Sequence, residues 1–226
     1  SGVKHLGPTF PVDEHFTPEY DPWDQRLCAA PDGDFFRAIR EGDAEVVTDT
    51  IERFTADGID LTSGRHLPAD VIVTATGLNV QFFGAVDVQV DGQHVDPATR
   101  VSYRGMMLDG VPNLAFAIGY TNSSWTLRVD LITDYFRRLL DQMDRRGAVA
   151  VTPRYKGPRS QLRPLIDLAS GYIQRGAHLL PRQGPDGAWH VRQNYLRDKV
   201  LFRPGSERDG QLEFTPATPE TAAVAS

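Results

Sequence analysis

Cysteine is almost absent from this chain of 226 residues, which contains Cys28 alone. A single cysteine excludes a disulfide within the chain, so a reducing compartment fits and we expect a cytoplasmic protein. No apolar run approaches the roughly 20 residues that a membrane-spanning helix needs. No signal-peptide pattern is found either. The sequence therefore predicts no transmembrane segment.

An excess of positive charge is also lacking, because 24 basic residues face 30 acidic ones and the net charge is −6. This balance argues against nucleic acid or an anionic membrane as the main partner. The dinucleotide fingerprint G-x-G-x-x-G, the P-loop and the nucleophile motif G-x-S-x-G do not occur. The histidines are scattered without metal-ligand spacing, so we predict no metal site.

What the chain does contain is a short apolar, β-branched run, Val71-Ile72-Val73, followed by Thr74-Ala75-Thr76-Gly77. Such a run predicts a buried strand. The small residues at its end would let another backbone or a flat cofactor approach closely. An ordinary buried strand can also end in small residues, so the pattern alone leaves both interpretations open.

The segment before this run begins with a loop and continues with a predicted meander. Residues 1–32 are rich in proline, and the aromatic stretch 15–28 has neither helical nor strand periodicity. A loop this rigid either holds a side chain for a purpose or only connects elements, with Trp23 as a packing anchor. Asp32 or Asp34 would then cap a short helix that ends at Gly42. The strand-like runs that follow are 45–48, 51–55 and 58–62.

A second strand–turn–helix pattern follows a predicted hairpin around Asp91-Gly92. Residues 114–118 predict an apolar strand, and Ser123 or Ser124 would cap a long helix that ends at Gly147. The apolar stripe of this helix is Leu127, Leu131, Ile132, Tyr135, Leu139 and Met143. Free N–H groups at its start suit an anion or an electron-rich ring edge, although an ordinary α/β unit would look the same.

Beyond residue 150 the periodicity dissolves into proline, glycine and arginine with scattered aromatic residues. We predict an irregular C-terminal segment, 151–226, that wraps over the body of the protein. Its last dozen residues, 215–226, have the composition of a disordered tail. The fold class predicted for the whole is α/β.

Five motifs follow one another along the chain: residues 16–26 (FTPEYDPWDQR), 31–36 (PDGDFF), 70–77 (DVIVTATG), 103–107 (YRGMM) and 119–127 (GYTNSSWTL). In this order they resemble the C-terminal half of bacterial flavin-containing monooxygenases of the Baeyer–Villiger type, the group that includes mycobacterial enzymes activating thioamide prodrugs. The resemblance implies a flavoprotein with two Rossmann-like dinucleotide-binding domains. Residues 1–77 would end the NADP-binding domain, with the meander and linker strand, and 78–150 would close the FAD-binding domain before the tail.

The resemblance also implies the chemistry. NADPH would reduce FAD, and a peroxyflavin formed with dioxygen would convert a ketone to an ester or lactone. An enzyme of the same fold that oxygenates nitrogen or sulfur, for instance in a sulfide or thioamide, is the alternative. A non-catalytic remnant or split-gene interaction module is a further one. The glycine-rich fingerprints would lie in the missing N-terminal half, or in an equivalent chain, which is the expected partner.

By motif position, the resemblance assigns the catalytic arginine to Arg26, whose permanent charge would stabilise an anionic peroxide. Gln25 occupies the place where family members often carry a lysine for the NADPH ribose phosphate, which weakens the case for NADPH over NADH. The remaining cofactor-binding positions are Thr76, Gly77, Tyr120, Ser124, Trp125, Thr126 and Val129.

Overall fold

The computed structural model describes residues 6–18, 20, 31–121 and 123–217. The chain divides into two compact units, Ser1–Gly77 and Leu78–Ser226. Both contain helices and strands, as the α/β class predicts. Within the described ranges, no helix has both the length and the apolar character needed to cross a membrane.

The elements are mostly short. The helices are α1 (Val12–Phe16), α2 (Asp34–Glu41), α3 (Trp125–Arg146), α4 (Gly171–Gly176) and α5 (Tyr195–Leu201). The strands are β1 (Ile51–Phe54), β2 (Gly58–Leu61), β3 (His66–Pro68), β4 (Gln89–Val90), β5 (Gln93–His94), β6 (Ser102–Tyr103), β7 (Met107–Leu108), β8 (Ala148–Pro153), β9 (Arg163–Pro164), β10 (Arg182–Gln183) and β11 (Leu212–Pro216). Single 3-10 turns are Pro31–Gly33, Phe82–Ala85, Pro97–Thr99, Arg159–Gln161, Ala177–Leu179, Gly187–Trp189 and Ser206–Arg208.

The first unit contains the predicted helix and meander, with two local differences. Helix α2 ends at Gly42 in a left-handed conformation, but it begins after Gly33 without a side-chain cap from either aspartate. Strands β1, β2 and β3 form an antiparallel meander in that order. The third strand is His66–Pro68 rather than residues 45–48, which are irregular.

The prediction of a buried strand at residues 71–73 is wrong for this chain. Val71 and Val73 are 79% and 85% exposed, and the segment forms no strand. A β-branched apolar run stabilises a strand only when neighbouring strands supply hydrogen bonds and cover its faces. Within the described residues of this unit, the meander is the only sheet, and it does not extend to this run.

The second unit packs around helix α3, whose predicted limits are confirmed. The helix begins after Ser124 and ends at Gly147, whose left-handed conformation lets its N–H reach the carbonyls of Met143 and Asp144. Its buried face lies against β6, β7 and β8, and against residues of the C-terminal segment. The buried cluster comprises Val101, Tyr103, Met106, Met107, Ile132, Tyr135, Leu139, Val151, Trp189 and Phe202.

Two sequence expectations in this unit have different outcomes. The hairpin β4–β5 turns at Asp91 and Gly92, both with positive φ, as predicted. Residues 114–118 run without strand pairing, so the strand predicted there is wrong. Within the described part of the unit they form no ladder of backbone hydrogen bonds. The Phe116 N–H donates to the Met106 carbonyl at 2.8 Å, and the Phe116 ring packs against the Phe82 and Phe83 rings.

The C-terminal segment is more ordered than its composition suggests. Strand β11 pairs antiparallel with β8 along its whole length, and Trp189 and Phe202 belong to the main core. Phe202 packs against Tyr135 of α3, and Trp189 packs against Tyr103 of β6. Thr215 and Pro216 of β11 fall within the stretch predicted as disordered. Residues 218–226 lie outside the described residues.

Candidate functional site

The start of helix α3 is exposed and has no side-chain cap. Ser124 occupies the N-cap position, but its hydroxyl forms no hydrogen bond to the helix backbone. The Oγ atom of Ser124 lies 2.7 Å from the Oγ1 atom of Thr126 instead. Since the first N–H groups of a helix have no partner within the helix, the uncapped groups here remain available to a ligand.

The Trp125 side chain lies directly against the backbone of Gly119, in the loop before the helix. A Cβ atom at Gly119 would lie 2.4 Å from the Cγ of Trp125, closer than side chains approach one another. Glycine therefore permits this close approach. The indole remains 53% exposed, so the helix start presents both N–H donors and a flat aromatic surface.

A buried carboxylate ties the helix to the loop before it. The Asp198 Oδ2 atom accepts a hydrogen bond from the Tyr120 hydroxyl at 2.8 Å and another from Arg128 Nη1 at 2.5 Å. Arg128 Nη2 also donates to the backbone carbonyl of Arg104 at 3.0 Å. Arg128 and Asp198 are each 1% exposed, so the ion pair is fully removed from solvent.

A second contact from the same part of the chain holds the loop. The Gln193 Oε1 atom accepts hydrogen bonds from the backbone N–H of Thr121 at 2.9 Å and from its hydroxyl at 3.2 Å. Asn194 caps α5, because its Oδ1 accepts from the Arg197 N–H at 3.0 Å. The segment 193–198 is thus hydrogen-bonded both to the loop and to the first turn of α3.

Gly105 makes room for the buried guanidinium, and this gives a testable consequence. Its φ is +62°, and a Cβ there would lie 2.6 Å from Arg128 Nη2. We expect Gly105→Ala to lower the free energy of unfolding by clearly more than the roughly 1–2 kcal/mol of a left-handed alanine. Gly147→Ala is the matched control, since its φ is +58° and nothing lies within 4 Å. Equal losses for both variants in urea unfolding would contradict this account.

A neighbouring polar cluster lies further along the buried face of α3. The Arg104 guanidinium donates to the Tyr103 hydroxyl at 2.9 Å and to Asp209 Oδ2 at 2.7 Å. The hydroxyls of Tyr103 and Tyr135 are 2.7 Å apart. Burial raises the pKa of the Tyr103 hydroxyl well above its ordinary range. This cluster fastens the turn after β6 to the C-terminal segment.

The structure brings together the site residues predicted in the second unit. Ser124, Trp125 and Thr126 form the exposed helix start, and Val129 lies half-buried one turn further on. Tyr120 is fully buried behind them, where it contacts Asp198 rather than an open surface. Sequence reasoning missed the supporting residues Arg128, Gln193 and Asp198, because nothing local in the sequence marks a contact between such distant positions.

The other predicted site residues belong to the first unit. Thr76 and Gly77 lie in the exposed extended segment that ends the first unit, and Gly77 has a φ of +97°. Gln25 and Arg26 lie outside the described residues. Among the residues that are described, no group of histidine, cysteine or carboxylate side chains is arranged to hold a metal ion.

The helix start fits the electron-rich edge of a flat ring system. Unpaired N–H groups and the positive end of the helix dipole favour partial or full negative charge. The exposed indole offers a surface against which a planar group can pack. An isoalloxazine ring has both properties, with carbonyl oxygens at one edge, so the donor set is compatible with a flavin.

No protein-family model matches this chain. The curated proteins to which it is similar belong to one class of enzyme. The relatives are bacterial FAD-containing monooxygenases, which confirms the resemblance drawn from the five motifs. The chain spans less than half the length of these relatives, a share that fits the predicted half of such an enzyme.

Two of these relatives are the FAD-containing monooxygenases EthA of two mycobacterial species. EthA of Mycobacterium tuberculosis is 52% identical over 211 residues, which cover 93% of this chain and 43% of EthA. EthA of Mycolicibacterium smegmatis is 46% identical over 212 residues, which cover 94% of this chain and 43% of that protein. AlmA of Acinetobacter baylyi, a probable FAD-binding monooxygenase, is 47% identical over 208 residues, 91% of this chain and 41% of AlmA.

Proposed function

We propose that this chain is the C-terminal part of an FAD- and NADPH-dependent monooxygenase that inserts one oxygen atom from dioxygen into a ketone. The observation that carries the proposal is the exposed, uncapped start of α3, within a chain 52% identical to an FAD-containing monooxygenase. The assembled enzyme is this chain together with an N-terminal half that carries the glycine-rich fingerprints.

The helix start would bind and orient the flavin. Its N–H groups would donate to the carbonyl edge of the ring, and the helix dipole would stabilise negative charge there by about 0.3–1 kcal/mol, more where water is excluded. Trp125 would pack against the cofactor and exclude water from this edge. Bound FAD would supply electron transfer from the nicotinamide and activation of dioxygen.

The residues assigned by resemblance would complete the site from the first unit. Arg26 would stabilise the anionic oxygen species next to the flavin, and Gln25 would lie near the ribose of NADPH. Thr76 and Gly77 would link the two Rossmann-like dinucleotide-binding domains. The positive φ of Gly77 supports a linker role, since such a backbone conformation suits a change of chain direction.

The exposure of residues 71–73 supports the proposal that a second half of the enzyme binds this chain. Val71 and Val73 expose large apolar side chains, and grouped apolar side chains seldom stay in contact with water. In the assembled enzyme, the N-terminal half would cover these side chains.

Oxygenation of nitrogen or sulfur would use the same flavin site, and a panel of substrates separates it from ketone oxidation. A thioether that is oxygenated by the assembled enzyme, with ketones inert, would favour that alternative. A non-catalytic interaction module is separated more simply, because it would bind a partner chain but no flavin.

FAD binding tests the proposal directly. Equilibrium dialysis is expected to show no tight FAD or NADPH binding by the 226-residue chain alone, because the close approach to each pyrophosphate needs the glycine-rich fingerprints. The assembled enzyme is expected to retain FAD through purification. Micromolar or tighter FAD binding by the chain alone would show that the glycine-rich fingerprints of the N-terminal half are not required for FAD binding. A colourless assembled enzyme would refute the flavin assignment.

A further inference from the structure

We propose that Asp198 is a positioning residue for the flavin, acting through Arg128 and Tyr120 on the start of α3. The inference rests on the proposed function, because it needs a flavin at the helix start. It gives the C-terminal segment a specific role in the site. One carboxylate from this segment sets the geometry of a cofactor site formed by residues about 70 positions earlier.

No side chain among the described residues caps the start of the helix. An N-cap side chain normally holds the first turn and contributes about 1 kcal/mol. The Ser124 side chain makes no such bond here. Residues 123–127 are also exposed, so packing against neighbours contributes little to holding them in place. The orientation of the free N–H groups must therefore be determined from elsewhere.

Asp198 supplies that constraint from both sides of the turn. Its Oδ2 atom holds Tyr120 in the loop before the helix and Arg128 in the first turn, so both ends of the intervening segment are fixed to one point. The other oxygen, Oδ1, is buried and has no hydrogen-bond partner among the described residues. The tie therefore depends on the single oxygen Oδ2.

The residues around Asp198 are themselves held by hydrogen bonds. Asp198 lies in α5, which Asn194 caps, and the adjacent Gln193 holds Thr121 by two further hydrogen bonds. A negative charge suits this position, since the Arg128 guanidinium is buried with it and needs compensation. An asparagine keeps the shape of the side chain but removes the charge that draws both donors to one oxygen.

The first test follows the helix start in the 226-residue chain without any cofactor. Asp198→Asn is expected to speed amide hydrogen exchange at Arg128, Val129 and Asp130 by about tenfold or more, whereas exchange at Tyr135 changes only with global stability. Asp209→Asn is the matched control, because it removes the charge of a second, partly buried ion pair in the same unit, that with Arg104. Equal exchange at 128–130 in the two variants would overturn the inference.

The second test measures the cofactor in the assembled enzyme. Asp198→Asn is expected to weaken FAD binding about tenfold or more and to shift the visible absorption band of the bound flavin, while Asp209→Asn leaves both near wild type. Tyr120→Phe removes one of the two ties and provides a milder variant if Asp198→Asn does not fold. We expect it to give a smaller loss in the same direction.

These outcomes separate the inference from the function on which it rests. If the wild-type assembled enzyme binds no FAD, the proposed function fails, while the exchange experiment still decides whether Asp198 fixes the helix start. If wild type binds FAD and the Asp198 and Tyr120 variants match Asp209→Asn in affinity and absorption, the positioning role is refuted and the proposed function stands.

Discussion

Arg26→Ala in the assembled enzyme is expected to leave flavin reduction by NADPH intact and to lower oxygenation of the substrate by about three orders of magnitude. A guanidinium about 4 Å from an anionic oxygen, at an effective dielectric constant of about 20, stabilises it by about 4 kcal/mol. Each 1.36 kcal/mol corresponds to about one decade in rate. NADPH consumption should then produce hydrogen peroxide instead of oxygenated product.

The alternative role for Arg26 is to hold its loop by pairing with Asp21, Asp24 or another carboxylate. That role predicts a less stable variant whose product yield per NADPH consumed is close to wild type. Arg26→Lys discriminates further, because an ammonium keeps the charge but lacks the planar fork of the guanidinium. We expect it to restore the product yield only in part. Product and peroxide, quantified together against NADPH consumed, are the required measurements.

The second large effect is on stability. Arg128→Met is expected to lower the free energy of unfolding of the 226-residue chain by about 3–5 kcal/mol, because it leaves the Asp198 charge buried without its partner. The double variant Arg128→Met/Asp198→Leu should regain most of the loss, since well-packed apolar side chains can replace a buried ion pair. Urea unfolding followed by tryptophan fluorescence measures both. A single variant as stable as wild type would contradict the account of this pair.

The loss in Arg128→Met should also depend on pH in a defined direction. Burial raises the pKa of the Asp198 carboxyl above its ordinary value of 3.8, although Arg128 and Tyr120 oppose the rise. Without Arg128 the pKa in the folded state rises further, so the folded state binds a proton that the unfolded state releases. The loss of stability relative to wild type should therefore be smallest at acidic pH and should grow as the pH rises above about 4. A destabilisation independent of pH would argue against an unpaired buried charge.

Local signals are sufficient to predict the elements that are stabilised locally. The hairpin at Asp91-Gly92 and the limits of α3 follow from turn chemistry, apolar periodicity and a glycine cap, which act over a few residues. The prediction for residues 71–73 is wrong, because burial of a strand depends on neighbours that the described part of this chain does not supply.

The candidate site is predictable in part for the same reason. The motif around residues 119–127 locates the helix start and its exposed donors. Asp198 cannot be recognised from the sequence, since it lies 70 residues from Arg128 and 78 from Tyr120. An aspartate in a segment rich in proline and arginine resembles an ordinary surface residue. The three-dimensional contact alone shows that its carboxylate is buried and paired.

Incorporation of heavy-isotope-labelled dioxygen tests the central proposal most directly. The assembled enzyme is supplied with NADPH, a cyclic ketone and labelled dioxygen, and the product is analysed by mass spectrometry. The proposal predicts a lactone that carries one labelled oxygen atom, formed only when the purified enzyme shows the visible absorption of bound flavin. An enzyme that holds FAD and oxidises NADPH, but forms no labelled product from ketones or from sulfur and nitrogen compounds, would contradict the assignment as a monooxygenase.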